Sequence, residues 1–205
     1  ECPSTFLKEV MDLFSLTALE ICEGQQMDME FEQRNDVTAE EYLEMIRLKT
    51  AVLLAASLKI GARLGGASVE DADRLYDFGM HIGVAFQLKD DLLDVYGNAK
   101  VFGKNIGGDI LCNKKTYMLI KALEHANADQ HNQLNSWINA ETFQPAEKIA
   151  AVTELYDRIG VKAVCENKIL EYSNRAMESL AAVSIAEEKK EELKKIIENL
   201  IHREV

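Results

Sequence analysis

Proline is nearly absent. Pro3 and Pro145 are the only two in 205 residues, so the long stretch between them lacks the ring that breaks helices. No Asn-Gly or Asp-Gly pair occurs and no run alternates strictly between apolar and polar, which argues against β-hairpin architecture. The four cysteines, Cys2, Cys22, Cys112 and Cys165, are scattered without Cys-x-x-Cys spacing. That excludes a disulfide scaffold and reads as reduced thiols of a cytoplasmic protein. No apolar run approaches the roughly 20 residues of a membrane helix. The opening Glu-Cys-Pro-Ser has neither an initiator Met nor a signal-peptide pattern, so an upstream segment is expected. Positive charge is scarce as well: 23 Lys and Arg against 35 Asp and Glu give a net −12. A general affinity for nucleic acid or anionic membranes is thereby excluded. An anionic substrate fits only where basic residues converge locally.

What is present is helical spacing throughout. Phe6, Val10, Leu13 and Phe14 share a stripe, as do Leu43, Ile46, Leu53 and Leu54. Thr38 with Glu41 and Ser184 with Glu187 form capping boxes, Ser68 with Asp71 a looser version, and Pro145 suits a first helical position. Asn35-Asp36, Gly65-Gly66, Gly97-Asn98 and Gly160 supply stops. The pattern predicts helices near 4–33, 38–62, 68–96, 113–127, 130–140, 145–158, 161–182 and 185–203, hence one all-α domain over 1–205.

The segment from Phe78 to Leu88 is uncharged with neutral His81 and is apolar all round, as expected of a buried central helix. Within it, Gly79 and Gly83 allow a neighbouring backbone to approach closely. His81 reads as a core histidine, and Tyr76, Phe78 and Phe86 as core or cavity wall. The run leads into Lys89-Asp90-Asp91-Leu92-Leu93-Asp94, with Asp90 and Asp94 one turn apart on one face. Two such carboxylates, roughly 5–6 Å apart, repel by about 3 kcal/mol at an effective dielectric near 20. Either water hydrates them or a hard divalent cation such as Mg²⁺, completed by substrate phosphates, holds them together. Downstream, Gly103-Lys104, Gly107-Gly108-Asp109 and Lys114-Lys115-Thr116 suit a loop whose backbone N–H groups and ammonium charges cradle an anion. Upstream, Gly24-Gln25-Gln26-Met27-Asp28 and Lys49-Thr50 place polar groups in otherwise apolar helices, where a lysine without a partner is costly to bury.

In order and spacing, the set Gly24-Gln25-x-x-Asp28, Lys49-Thr50, Phe86-Gln87-x-x-Asp90-Asp91-x-x-Asp94, Gly103-Lys104-x-x-Gly107-x-Asp109 and Lys114-x-Thr116 resembles the trans-isoprenyl diphosphate synthase (polyprenyl synthetase) family, short-chain farnesyl or geranylgeranyl type. The resemblance implies an isoprenoid-synthase helical bundle around a central cavity. The implied activity is Mg²⁺-dependent, head-to-tail condensation of an allylic diphosphate with isopentenyl diphosphate, usually by a homodimer. Carried over, Asp90 is a metal ligand, with Asp91 and Asp94 holding metal-bound water or lying beside the metal. Lys49, Lys104 and Lys114 contact the allylic diphosphate, and Thr50 and Gln87 lie near the allylic carbon. The family faces two aspartate-rich motifs across its cavity, whereas this sequence has one Asp-Asp-x-x-Asp. The sequence therefore looks like the C-terminal portion of a synthase, expected to be inactive alone. A non-catalytic subunit of the same fold and a class I terpene cyclase are the alternatives.

Overall fold

The computed structural model describes residues 3–97 and 106–201, and among them every regular element is helical. Helix α1 spans Ser4–Phe31, α2 Ala39–Ile46, and a five-residue π-helical turn, Arg47–Ala51, joins α2 to α3, Val52–Leu64. Helix α4 spans Val69–Tyr96 and α5 is a single turn, Gly108–Leu111. Then come α6, Tyr117–His125, α7, Ala128–Ile138, α8, Pro145–Ile159, and α9, Val161–Ala181. A 3₁₀ turn over Glu187–Lys189 precedes α10, Glu191–Ile201.

Helix α4 is the axis of the molecule, packed between α3 and α9. Its buried residues fall on every side and include Phe78, Ile82, Val84, Ala85, Leu88 and Leu92, as the uncharged Phe78–Leu88 segment predicts. The two glycines set its distance from α3. A Cβ on Gly79 would come within 2.6 Å of the Ala55 Cα, and one on Gly83 within 2.6 Å of the Ala51 Cα. Backbone therefore lies on backbone along this seam. His81 is half-buried rather than in the core; it packs against Tyr172 with ring centroids 6.1 Å apart, and burial lowers its pKa.

Thr38 and Glu41 form the full reciprocal capping box at α2. Ser68 caps α4 by accepting from the Asp71 N–H, while the Asp71 carboxylate turns away to the Ser184 N–H at 2.8 Å and to Arg74. That contact explains the one departure among the predicted caps. The Ser184 hydroxyl is engaged by Arg74 rather than by a helix start, so the last helix begins at Glu191 behind its 3₁₀ turn. A second departure is the π turn, where the Val52 N–H reaches back to the Arg47 carbonyl in the middle of the predicted 38–62 helix.

Candidate active site

The π turn has a consequence for chemistry. By inserting one extra residue per turn it re-aims Lys49 and Thr50, and such bulges recur at functional sites. The turn is fixed from behind by α1, because a Cβ on Gly24 would sit 2.5 Å from the Lys49 backbone nitrogen. With α1 that close, Asp28 receives the Lys49 ammonium in an ion pair at 2.7 Å. The next residue, Thr50, donates its hydroxyl to Gln87 Oε1 at 3.2 Å, and Gln87 Nε2 donates to Asp91 Oδ1 at 3.1 Å. The other Asp91 oxygen accepts from the Tyr42 hydroxyl of α2. Asp91 thus orients the Gln87 amide so that its oxygen faces Thr50. The single Thr50 hydroxyl hydrogen is spent there, which leaves the lone pairs of Thr50 Oγ1 available to the cleft.

Asp91 is 3% exposed, whereas Asp90 and Asp94 are half-buried. Burial pushes the Asp91 carboxyl up to about 7, against the Tyr42 hydrogen bond and the charge of Lys114, which pull it down. Asp94 starts the next element: its carbonyl accepts the Gly107 N–H and its Oδ2 accepts the Asp109 N–H at 2.9 Å. Asp109 is thereby set against α4. Burial raises the Asp109 pKa; Lys114 opposes the shift, and Asp94, Asp90 and Asp28 add to it. Lys114 lies 3.7 Å from Asp109. Burial works against its charge, yet Asp109, Asp91, Asp28 and Asp94 together hold its pKa above the ordinary lysine value.

Lys49, Thr50, Gln87, Lys114, Asp28 and Tyr42 line one small polar cleft. Of the predicted diphosphate lysines, Lys49 and Lys114 converge there from distant parts of the chain, and Lys104 lies outside the described residues. Two members of the cleft and one neighbour of Lys114 carry roles not assigned from sequence. Tyr42 ties down Asp91, Asp28 pairs with Lys49, and Asp109 pairs with Lys114. Asp28 and Asp109 belong to the motif, so their signal was present, whereas nothing near Tyr42 in sequence marks it. Beside the cleft, on the same α3–α4 face, runs an apolar groove of about 650 Å³ lined by Leu54, Leu58, Phe78, Ile82, Phe86 and Ile196, among others. Phe86 adjoins Gln87, and Leu54 lies one turn beyond Thr50.

The donor set suits a hard cation. Asp90, Asp94 and Asp109 offer carboxylate oxygens of the kind such an ion takes, and after burial the charges of Asp94 and Asp90 add to the raised pKa of Asp109. Among the described residues no three His, Cys, Asp or Glu side chains form a metal cage by themselves.

Comparison with known proteins gives a consistent result. The family model for polyprenyl synthetase matches residues 4–156. Over 201 residues the chain is 37% identical to a short chain isoprenyl diphosphate synthase of Methanothermobacter thermautotrophicus, covering 98% of this chain and 61% of that protein. A crystal structure of a geranylgeranyl pyrophosphate synthase superposes with a TM-score of 0.92 at 37% identity, covering 99% of this chain and 63% of the other. A Corynebacterium glutamicum geranylgeranyl pyrophosphate synthase, complexed with isoprenyl diphosphate and magnesium, superposes at 0.89 with 29% identity, over 98% of this chain and 57% of its own. The chain thus spans about three fifths of the length of these relatives.

Proposed function

The chain belongs to the polyprenyl synthetase family, and from that premise we propose that it supplies the diphosphate-ionising side of a Mg²⁺-dependent prenyltransferase. The reaction is head-to-tail condensation of an allylic diphosphate with isopentenyl diphosphate. One observation carries the reading: Lys49 and Lys114 line a single cleft with Thr50 and Gln87, at the edge of an apolar groove able to take a hydrocarbon tail. Lys49 and Lys114 hold the diphosphate and oppose the charge that grows on it as it leaves, a gain larger in the transition state than in the ground state. Bound beside Asp90, Asp94 and Asp109, Mg²⁺ would neutralise the diphosphate and so assist its departure. Thr50 Oγ1, freed to accept by its bond to Gln87, faces the developing positive charge on the allylic carbon. The apolar groove receives the hydrocarbon tail attached to that carbon. Asp91 acts as the buried tie that orients Gln87.

Two further features join the proposal. Helix α1 exposes Leu7, Met11 and Phe14 at helical spacing, a stripe suited to a second copy in a homodimer. No helix among the described residues is long and apolar enough to cross a membrane. The thiols of Cys22, Cys112 and Cys165 are free, which suits a cytoplasmic location.

The test is product formation by the full-length chain with dimethylallyl or geranyl diphosphate, isopentenyl diphosphate and Mg²⁺. Asp90→Ala should lower kcat by about 10²–10³-fold, a loss of the size seen when one preorganised electrostatic group is removed, while circular dichroism stays unchanged. Near-normal turnover in that variant would overturn the metal-side assignment.

A further inference from the structure

Lys148, in the first turn of α8, is only 1% exposed. Its ammonium donates to Asn113 Oδ1 at 2.7 Å, reaches the Leu111 carbonyl at 3.4 Å, and lies 4.2 Å from the centre of the Phe143 ring. No carboxylate among the described residues forms an ion pair with it, and burial lowers its pKa. An ammonium withdrawn from water without a counter-charge is costly. What it holds must therefore account for its place.

It holds the end of a turn. Asn113 has a left-handed backbone with φ of 52°, and its Nδ2 donates to the Ile138 carbonyl at 3.0 Å. The Lys114 N–H closes back onto the Asp109 carbonyl at 2.9 Å. The start of the same turn is held by the next residue of α8. Gly107, with φ of 84°, packs so tightly on Ile149 that a Cβ there would lie 2.7 Å from it. Lys148 and Ile149 thus grip the two ends of residues 107–113. The turn carries Asp109 and leads directly into Lys114. A cavity of about 20 Å³ lies beside Lys148, lined by Asp109, Asn113, Lys114, Thr116 and Tyr156 among others, room for about one water.

We propose that Lys148 is a positioning residue for the diphosphate-binding turn: by fixing Leu111 and Asn113, it sets Lys114 at its place in the cleft and Asp109 beside it. The inference rests on the reading of that cleft as a diphosphate site. Lys148 itself touches neither the cleft nor its ligand. Removing its donor leaves the global fold standing and lets the turn drift. A misplacement near 1 Å is enough to cost about 10²-fold in rate.

The test uses the full-length chain and four variants, Lys148→Met, Lys148→Arg, Asn113→Gly and Asn113→Asp. Inorganic diphosphate with Mg²⁺ is titrated calorimetrically well below the melting temperature, and kcat and both KM values are measured in parallel. Asn113→Gly matters most, because glycine accepts the left-handed backbone while the acceptor for Lys148 disappears. Lys148→Met and Asn113→Gly should each weaken diphosphate binding about 10-fold and lower kcat by about 10–100-fold, with KM for isopentenyl diphosphate unchanged. Lys148→Arg keeps a donor and should retain most of the affinity. If Lys148→Met does not fold, losses in Asn113→Gly that Asn113→Asp does not share carry the proposal, because the aspartate keeps the acceptor for Lys148 and drops only the bond to Ile138. Equal losses in both would trace to that bond and overturn the proposal. Unchanged diphosphate affinity in Asn113→Gly, whatever its melting temperature, would reduce Lys148 to a structural role and overturn the proposal. A wild-type chain that shows no Mg²⁺-dependent diphosphate binding would overturn the functional reading and this inference together.

Discussion

A buried carboxyl that accepts hydrogen bonds from Tyr42 and Gln87, as Asp91 does, still loses most of the hydration of its charged form. With its pKa up to about 7, it keeps a proton in the folded state where the unfolded chain has released it. Its contribution to stability is then fully present below about pH 4 and is lost as pH rises towards 7. In metal-free protein, denaturant unfolding at pH 5 and pH 8 should show the wild type losing stability, by an order of 3 kcal/mol at most from this group. Asp91→Asn should flatten that fall. An equal pH dependence in the variant would mean that Asp91 is ionised throughout. The Asp-Asp-x-x-Asp spacing made the shared face of Asp90 and Asp94 legible from sequence. The burial of Asp91 was not legible, because its partner Tyr42 stands on another helix, far away in the chain. Lys49 and Lys114 were readable as anion binders by type and motif, whereas their ion pairs with Asp28 and Asp109 emerge only when α1 and α5 are docked.

Among the elements, the seam between α3 and α4 is where helix propensity and packing oppose each other. Gly61, on α3, has open space where a Cβ would stand, whereas Gly83 would meet the Ala51 backbone. Gly61→Ala should therefore stabilise by about 0.5–1 kcal/mol through propensity alone. Gly83→Ala gains the same propensity term and loses more to overpacking, for a net destabilisation of about 1–2 kcal/mol. It should also lower kcat, since Ala51 closes the π turn that presents Thr50 and Lys49. Thermal unfolding and turnover of the two variants decide the matter, and a stabilised, fully active Gly83→Ala would show that the seam is looser than described. The helices themselves were legible because caps and apolar spacing are local. Thr38, Ser68, Pro145 and Gly160 act where the pattern places them. The π turn was not, because no residue type marks it. It sits where Leu48 and Lys49 pack on Gly24 and Ala51 packs on Gly83.

Over the whole molecule, charge and apolar surface are distributed unevenly. The polar cleft holds Lys49, Lys114 and Asp28, and Asp91, Asp94 and Asp109 lie close enough to act on the charge of Lys114. The neighbouring groove leaves Leu54, Phe86 and Ile196 facing outward, and α1 adds Leu7, Met11 and Phe14. A diphosphate with its Mg²⁺ ions needs carboxylates on more than one side, and residues 1–205 contain a single Asp-Asp-x-x-Asp. Expressed by themselves, these residues should fold as helix and bind diphosphate weakly with Mg²⁺. They should give no measurable condensation of dimethylallyl or geranyl diphosphate with isopentenyl diphosphate. Patches of apolar surface on this scale also drive association, so light scattering should find oligomers that grow with concentration. Leu7→Lys and Phe14→Glu on α1 should reduce that association without altering diphosphate binding, because neither residue approaches the cleft. Product formed by residues 1–205 at the rate of a full-length relative would contradict the charge argument directly. It would mean that one side of carboxylates, together with Lys49 and Lys114, suffices to ionise the allylic diphosphate.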